Sequence, residues 1–166
     1  PWADVALRSI RAAGREDRFE VAGLLARMDR DGLYERHFAH GEAPNHALLR
    51  RLDDADGINR VALLAVGADD TAIGHAEYVA TDGVAEFALL VQPSARDCGV
   101  GRALLAALVE RATGAGQREM NGVIQATNTR AVQLSRKLGF SLRPGEDRRT
   151  VIVSRPLCTV PTSAGG

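Results

Sequence analysis

The sequence predicts a mixed α/β domain of the α+β kind, a central sheet with helices packed against it. Three observations carry that prediction. Strand-like runs follow one another at Arg60–Val66, Ala72–Ala80 and Val84–Val91, and Asp82-Gly83 between the last two is a strong two-residue hairpin signal. Helical periodicity precedes them: within residues 15–29, Val21, Leu24, Leu25 and Met28 recur at i, i+3, i+4 and i+7. Further helix and strand segments follow, with no internal repeat.

In chain order, Val5–Ile10 reads as the first strand and residues 15–29 as the first helix. Residues 31–58 are polar and irregular, with short helices expected around Leu33–Phe38 and Ala47–Leu52. After the three strands, a glycine-containing loop, Pro93–Gly101, leads into a helix over Arg102–Thr113, whose end suits Gly114 and Gly116. Met120–Ala126 reads as a strand. Asn128 can cap a helix running to Leu138, which Gly139-Phe140 breaks. Short strands near Phe140–Leu142 and Thr150–Ser154 close the domain. Residues 1–158 are expected to form one domain, and 159–166 a flexible tail or linker.

The bulk numbers narrow the function. A chain of 166 residues, 45% hydrophobic and 25% charged, can bury a core without disulfides or metals. Its 21 basic and 21 acidic residues give zero formal charge, which argues against a whole-chain grip on nucleic acid. No apolar run approaches a membrane span, and no signal-peptide pattern opens the sequence. Cys98 and Cys158 form no CxxC, and His37, His40, His46 and His75 have no metal-site spacing. A reduced, cytoplasmic, metal-free protein is expected.

Arg96-Asp97-Cys98-Gly99-Val100-Gly101 lies between a strand and a helix. Small residues there let backbone N–H groups approach a phosphate, and the helix adds its positive N-terminal end. Arg96 and Arg102 add charge, so a pyrophosphate is a natural ligand; a purely structural turn is the competing reading. A dinucleotide fingerprint needs Gly or Ala where this chain has Leu104, and a P-loop needs Lys-Ser/Thr where it has Arg102-Ala103.

Residues 96–101, with the preceding Val91-x-Pro93, resemble the Q/R-x-x-G-x-G/A motif of the GNAT acetyltransferase superfamily. Asn128-x-x-Ala131-x-x-Leu134-x-x-Lys137-Leu138-Gly139-Phe140 is similar to that family's N-x-x-A-x-x-L-Y-x-K-x-G-F segment. Together they cover roughly residues 60–143. The resemblance implies a mixed, mostly antiparallel sheet, splayed around acetyl-CoA and flanked by helices. It implies that the Phe87–Val91 backbone, with Leu89, Leu90 and Val91, pairs with the pantetheine arm. The amides of Arg96, Asp97, Cys98, Gly99, Val100, Gly101 and Arg102 would hold the pyrophosphate, with Asn128 beside the thioester.

Acetyl transfer to an amine needs a neutral amine, a stabilised oxyanion and a departing thiolate. Neutralising a free lysine at pH 7 costs about 4–5 kcal/mol, which calls for a general base. A backbone N–H near Leu89 or Leu90 can serve the oxyanion. Glu86 is the candidate base, because it interrupts an otherwise apolar strand. If Asp82-Gly83 is a two-residue turn, Val79 pairs with Glu86, and Glu77 and His75 share its face. A solvated strand face carrying the same three residues is the competing reading.

A narrower resemblance favours the base. Ala85-Glu86-Phe87-Ala88 is similar to the A-E-x-A strand of Pat-type bacterial protein lysine acetyltransferases, whose glutamate is the base. Leu33-Tyr34-Glu35-Arg36-His37-Phe38 is similar to their S-x-Y-x-R-F-F stretch. That resemblance implies a lysine of an acyl-CoA synthetase as acceptor and a fused regulatory domain as partner. One departure matters: where many GNAT enzymes place an acidic tyrosine, this chain has Ser135, a possible partner of the thiolate or of the bound coenzyme. A small-molecule amine acetyltransferase and a non-catalytic acyl-CoA sensor are the alternatives. Cys98 ranks as a loop position, and Asp53, Asp54 and Asp56 as a solvated acidic run that can also attract a basic segment.

Overall fold

The computed structural model describes residues 6–28 and 44–157, with side chains from residue 48 onward in the second stretch. Among them, seven strands form one sheet in the order β1-β2-β3-β4-β5-β7-β6. They are β1 (Leu7–Ala12), β2 (Arg60–Gly67), β3 (Ala72–Thr81), β4 (Val84–Val91), β5 (Glu119–Gln125), β6 (Ser141–Pro144) and β7 (Thr150–Pro156). The β4–β5 pair is parallel and every other pair antiparallel, the mixed sheet that the sequence predicts. Among the described residues, four helices accompany it: α1 (Arg18–Ala26), α2 (Pro44–Asp53), α3 (Val100–Gly114) and α4 (Thr129–Lys137).

The sheet has a core on each face. Leu104, Leu105 and Leu108 of α3 are buried with Leu63, Ile73, Ala76, Tyr78 and Ala85. Val21, Leu24 and Leu25 of α1 and Leu48 and Leu52 of α2 are buried with Ala62, Leu64 and Leu90. β2 therefore reads as a continuous apolar run, because alternate residues enter opposite cores. Asp82 (φ 53°) and Gly83 (φ 81°) form the expected hairpin with positive φ at both turn positions.

Several boundaries differ from expectation. β1 begins and ends two residues later than Val5–Ile10. The segment 15–29 divides into a 3-10 turn, Arg15–Asp17, and α1. Asp17 explains the division: its carboxylate accepts from the Gly14 N–H at 3.0 Å and from Arg11 Nη2 at 2.7 Å, fixing the chain before α1 starts. α2 begins at Pro44 rather than Ala47, since proline is tolerated in a first turn. α3 begins at Val100 rather than Arg102 because Gly99 supplies the turn. Leu33–Phe38, Cys158 and the tail 159–166 lie outside the described residues. No helix among the described residues is long and apolar enough to cross a membrane.

Candidate active site

The site begins where β4 and β5 part. Their register covers Val84↔Glu119, Ala85↔Met120 and Glu86↔Asn121, and no further. At the next position the Phe87 ring lies against Gly122: a Cβ built there would stand 2.6 Å from the ring. Phe87 also meets Phe140 edge-on, with ring centroids 5.6 Å apart. Gly122 thus leaves the ring a space that any side chain would fill, and the β4–β5 ladder ends just before it.

Backbone alternation shows what β4 offers to this cleft. Gln92 N–H donates to Ile73 O on β3, whereas Gly83 O accepts from Arg118 and Glu119 at the start of β5. Successive residues alternate between the two sides. Even-numbered β4 residues therefore bond to β3, and the N–H and C=O groups of Leu89 and Val91 point to the open side. Leu90 differs from expectation here: its backbone is turned to β3, opposite His75, and its side chain is buried.

The loop after β4 carries the second part. Pro93–Ala95 forms a 3-10 turn, with Ala95 buried. Asp97 (φ 61°) and Gly99 (φ 80°) adopt left-handed backbone, and α3 starts immediately afterwards. This arrangement gathers backbone N–H groups at a helix N-terminus, a form suited to an anion. A Cβ at Gly101 would lie 3.4 Å from Leu134 and 3.6 Å from Leu89 and Val91, so glycine keeps the floor of the cleft low. Arg102, Cys98 and Asp97 are exposed and Arg96 is half-buried. Asp97 pairs with Arg130 of α4 at 3.0 Å. The residues present fit the pyrophosphate and pantetheine of coenzyme A.

Glu86 is exposed at the last β4–β5 pair, opposite Val79. Its side chain shares a sheet face with Glu77 and His75, the face that α1 and α2 cover. Glu77 is not a second solvated carboxylate. It is 5% exposed and receives both Nε (2.8 Å) and Nη2 (2.7 Å) of Arg51 from α2. His75, fully buried, places Nε2 3.6 Å from Glu77 Oε2. The solvated-face reading thus fails for two of its three residues. Among the described residues, no three His, Cys, Asp or Glu side chains gather where they can hold a metal.

The comparisons with known proteins agree with this geometry. Residues 24–140 match the acetyltransferase (GNAT) family. The chain belongs to that family. It is an acetyl-CoA-dependent N-acyltransferase. The GNAT domain of S. lividans PAT superposes with a TM-score of 0.79 at 24% identity, covering 94% of this chain and 97% of that one. A phosphinothricin acetyltransferase from Sinorhizobium meliloti, solved with AcCoA, gives 0.72 at 25% identity, with 90% and 88% covered. The PaiA N-acetyltransferase of Thermoplasma acidophilum, solved with coenzyme A, gives 0.72 at 21% identity, with 89% and 98% covered.

Two further residues of this GNAT chain have defined structural work. Asn128 caps α4, its Oδ1 accepting from the Ala131 N–H at 3.1 Å. Ser135 is buried, and its hydroxyl donates to the Ala131 carbonyl at 2.8 Å. That bond ties the hydroxyl to the backbone of α4. The acidic run is likewise occupied. Asp53 pairs with Arg18 and Asp54 with Arg60, while Asp56 Oδ1 accepts from the N–H groups of Ile58, Asn59 and Arg60 at 2.8 Å. Those turn bonds, led by the one from Arg60, hold the Asp56 carboxyl below its usual range. Sequence reasoning missed Arg51, Arg130 and the Phe87–Gly122 contact, each of which depends on a partner distant in sequence.

Proposed function

We propose that the chain moves an acetyl group from acetyl-CoA to a lysine side-chain amine of a protein by direct attack, with Glu86 as general base. One observation carries the reading: the exposed Glu86 carboxylate stands at the point where β4 and β5 diverge. It is thus at the edge of the slot that receives the thioester, on the face that α2 covers. An extended lysine can reach that position from solvent while the bulk of its protein stays outside.

The mechanism follows from these positions. Acetyl-CoA lies along the open edge of β4, with its pyrophosphate at the amides from Arg96 to Arg102. Glu86 takes a proton from the acceptor ammonium, directly or through a water, which offsets the cost of neutralising it. The free amine attacks the thioester carbonyl. The Leu89 N–H, directed to the open side, supports the oxyanion. The tetrahedral centre, its nitrogen now cationic, gives up a second proton to solvent as the C–S bond breaks, and the neutral amide forms. The Ser135 hydroxyl is turned to Ala131, so the thiolate leaves as such; a simple thiol has a pKa near 8.5.

The similarity of 85–88 and 33–38 to Pat-type enzymes favours an acyl-CoA synthetase as protein substrate and a fused regulatory domain as partner. The likeness to a phosphinothricin acetyltransferase supports a second reading, a small-molecule amine as acceptor. Intact-mass measurement of acyl-CoA synthetases after incubation with acetyl-CoA separates the two. Acetyl added to a synthetase lysine supports the first. No acetyl on any protein, with turnover of a small amine, supports the second. Tight CoA binding with no turnover of any acceptor would favour an acyl-CoA sensor instead.

A further inference from the structure

Asp97 and Arg130 face each other across the open end of the cleft. Asp97 belongs to the loop after β4 and Arg130 to the first turn of α4, which follows β5; their side chains meet at 3.0 Å. Since β4 and β5 pair only through residues 84–86, this ion pair ties together the two halves that diverge beyond Glu86. It lies at the carboxyl ends of a parallel strand pair, where open sheets of this kind bind ligands.

The charges are arranged against expectation for an anion site. Asp97 puts a carboxylate beside the N–H groups that lead into α3, and a phosphate arriving there would be repelled by it. Arg130 neutralises that carboxylate in the free protein. A guanidinium in such a place can exchange one anionic partner for another, because phosphate and carboxylate offer it the same bidentate oxygen geometry. Both side chains are well exposed, at 69% and 61%, so the exchange needs no repacking. Asp97 holds left-handed backbone (φ 61°), which sets the direction of its side chain from the loop.

We infer that Arg130 is a phosphate ligand of the coenzyme, held by Asp97 in the free protein and passed to a phosphate when the coenzyme binds. Asp97 is then an internal competitor that lowers affinity. The inference rests on coenzyme binding at this loop, and not on Glu86 or on the nature of the acceptor. The pyrophosphate and the 3′-phosphate of coenzyme A share the required chemistry, and the choice between them is experimental.

The test is calorimetric titration of the whole chain with CoA and with 3′-dephospho-CoA, with no acceptor present. Arg130→Ala weakens CoA binding about tenfold, the scale of one charge-assisted contact at a partly exposed site. Asp97→Asn, which keeps the left-handed backbone, tightens CoA binding by about two- to fivefold. Arg136→Ala, at the far end of α4, serves as a control for charge alone and stays within about twofold of the parent. If the 3′-phosphate is the partner, Arg130→Ala and the parent bind 3′-dephospho-CoA alike. If the pyrophosphate is, both ligands weaken together. Equal effects of Arg130→Ala and Arg136→Ala, or no tightening in Asp97→Asn, overturn the inference. A parent chain that binds neither ligand overturns both it and the coenzyme site.

Discussion

Gly122→Ala places a methyl group where the Phe87 ring now sits. The built Cβ stands 2.6 Å from Phe87 Cε1 and 2.8 Å from Cζ. Carbon atoms prefer about 3.5–4.0 Å, so the ring or β5 must retreat by about 1 Å. The ring is held edge-on against the buried Phe140, so it cannot retreat alone. Overpacking of this kind costs about 1–3 kcal/mol. For a domain of this size, Tm then falls by about 2–4 °C per kcal/mol. The same strain falls at the first position past the Glu86–Asn121 pair, so the width of the coenzyme slot changes with it. Thermal melts and calorimetric titration with CoA read the two effects together: Gly122→Ala lowers Tm and weakens CoA. Phe87→Leu removes Cε1 and Cζ, and in the Gly122→Ala background it recovers a large part of both losses. Parent-like Tm and affinity in Gly122→Ala, or no recovery in the double variant, would refute this close packing.

Other expectations follow from single contacts. Glu86→Gln lowers kcat by about 10²–10⁴ while leaving CoA affinity close to the parent, since it removes a base and not a coenzyme contact; thiol release measured against titration checks this, and unchanged turnover removes Glu86 from the mechanism. Arg51→Ala strands the buried Glu77 carboxylate and destabilises the fold by about 2–4 kcal/mol, whereas the double variant Arg51→Met with Glu77→Leu stays within about 1 kcal/mol of the parent, as denaturant titration can read. Equal losses in the two would contradict the pairing argument. Asp17 is held below its ordinary value of 3.8, first by the side-chain bond from Arg11, against burial and with help from the Gly14 N–H. Its folded pKa is depressed, so its stabilisation is full above about pH 4 and fades as pH falls through the folded value. Asp17→Asn therefore lowers Tm at pH 7, and its gap from the parent narrows below pH 4. A gap that is constant with pH would show that the ion pair contributes nothing.

Much of the central sheet was legible because its signals are local. Val84–Val91 is bounded by a hairpin dipeptide and by Pro93, and the Asp82-Gly83 turn alone sets Val79 opposite Glu86. Asn128 as a cap was legible for the same reason. What escaped depends on pairings across the fold. Arg51 reaches Glu77 over 26 positions, and nothing near either residue signals the other. Where the β4–β5 ladder ends, Phe87 meets a glycine 35 residues away, and no strand pattern encodes that contact. Asp56 read as part of an acidic run, yet its three backbone bonds make it a turn residue, which composition cannot distinguish from a solvated charge. The helix starts later than the 15–29 periodicity suggests because Asp17 finds its partner in β1, outside the helical window.

Amide hydrogen exchange along β4, read by NMR with and without CoA, tests the central claim most directly. Even-numbered residues such as Ala88 and Leu90 already bond to β3, so their amides are protected in the free chain and change little. Leu89 and Val91 face the open side of the cleft, and their amides gain protection when CoA is added, together with those of Gly99–Arg102. Protection gained at Ala88 and Leu90 instead, or no change anywhere in β4, would contradict a coenzyme seated on the open edge of this strand.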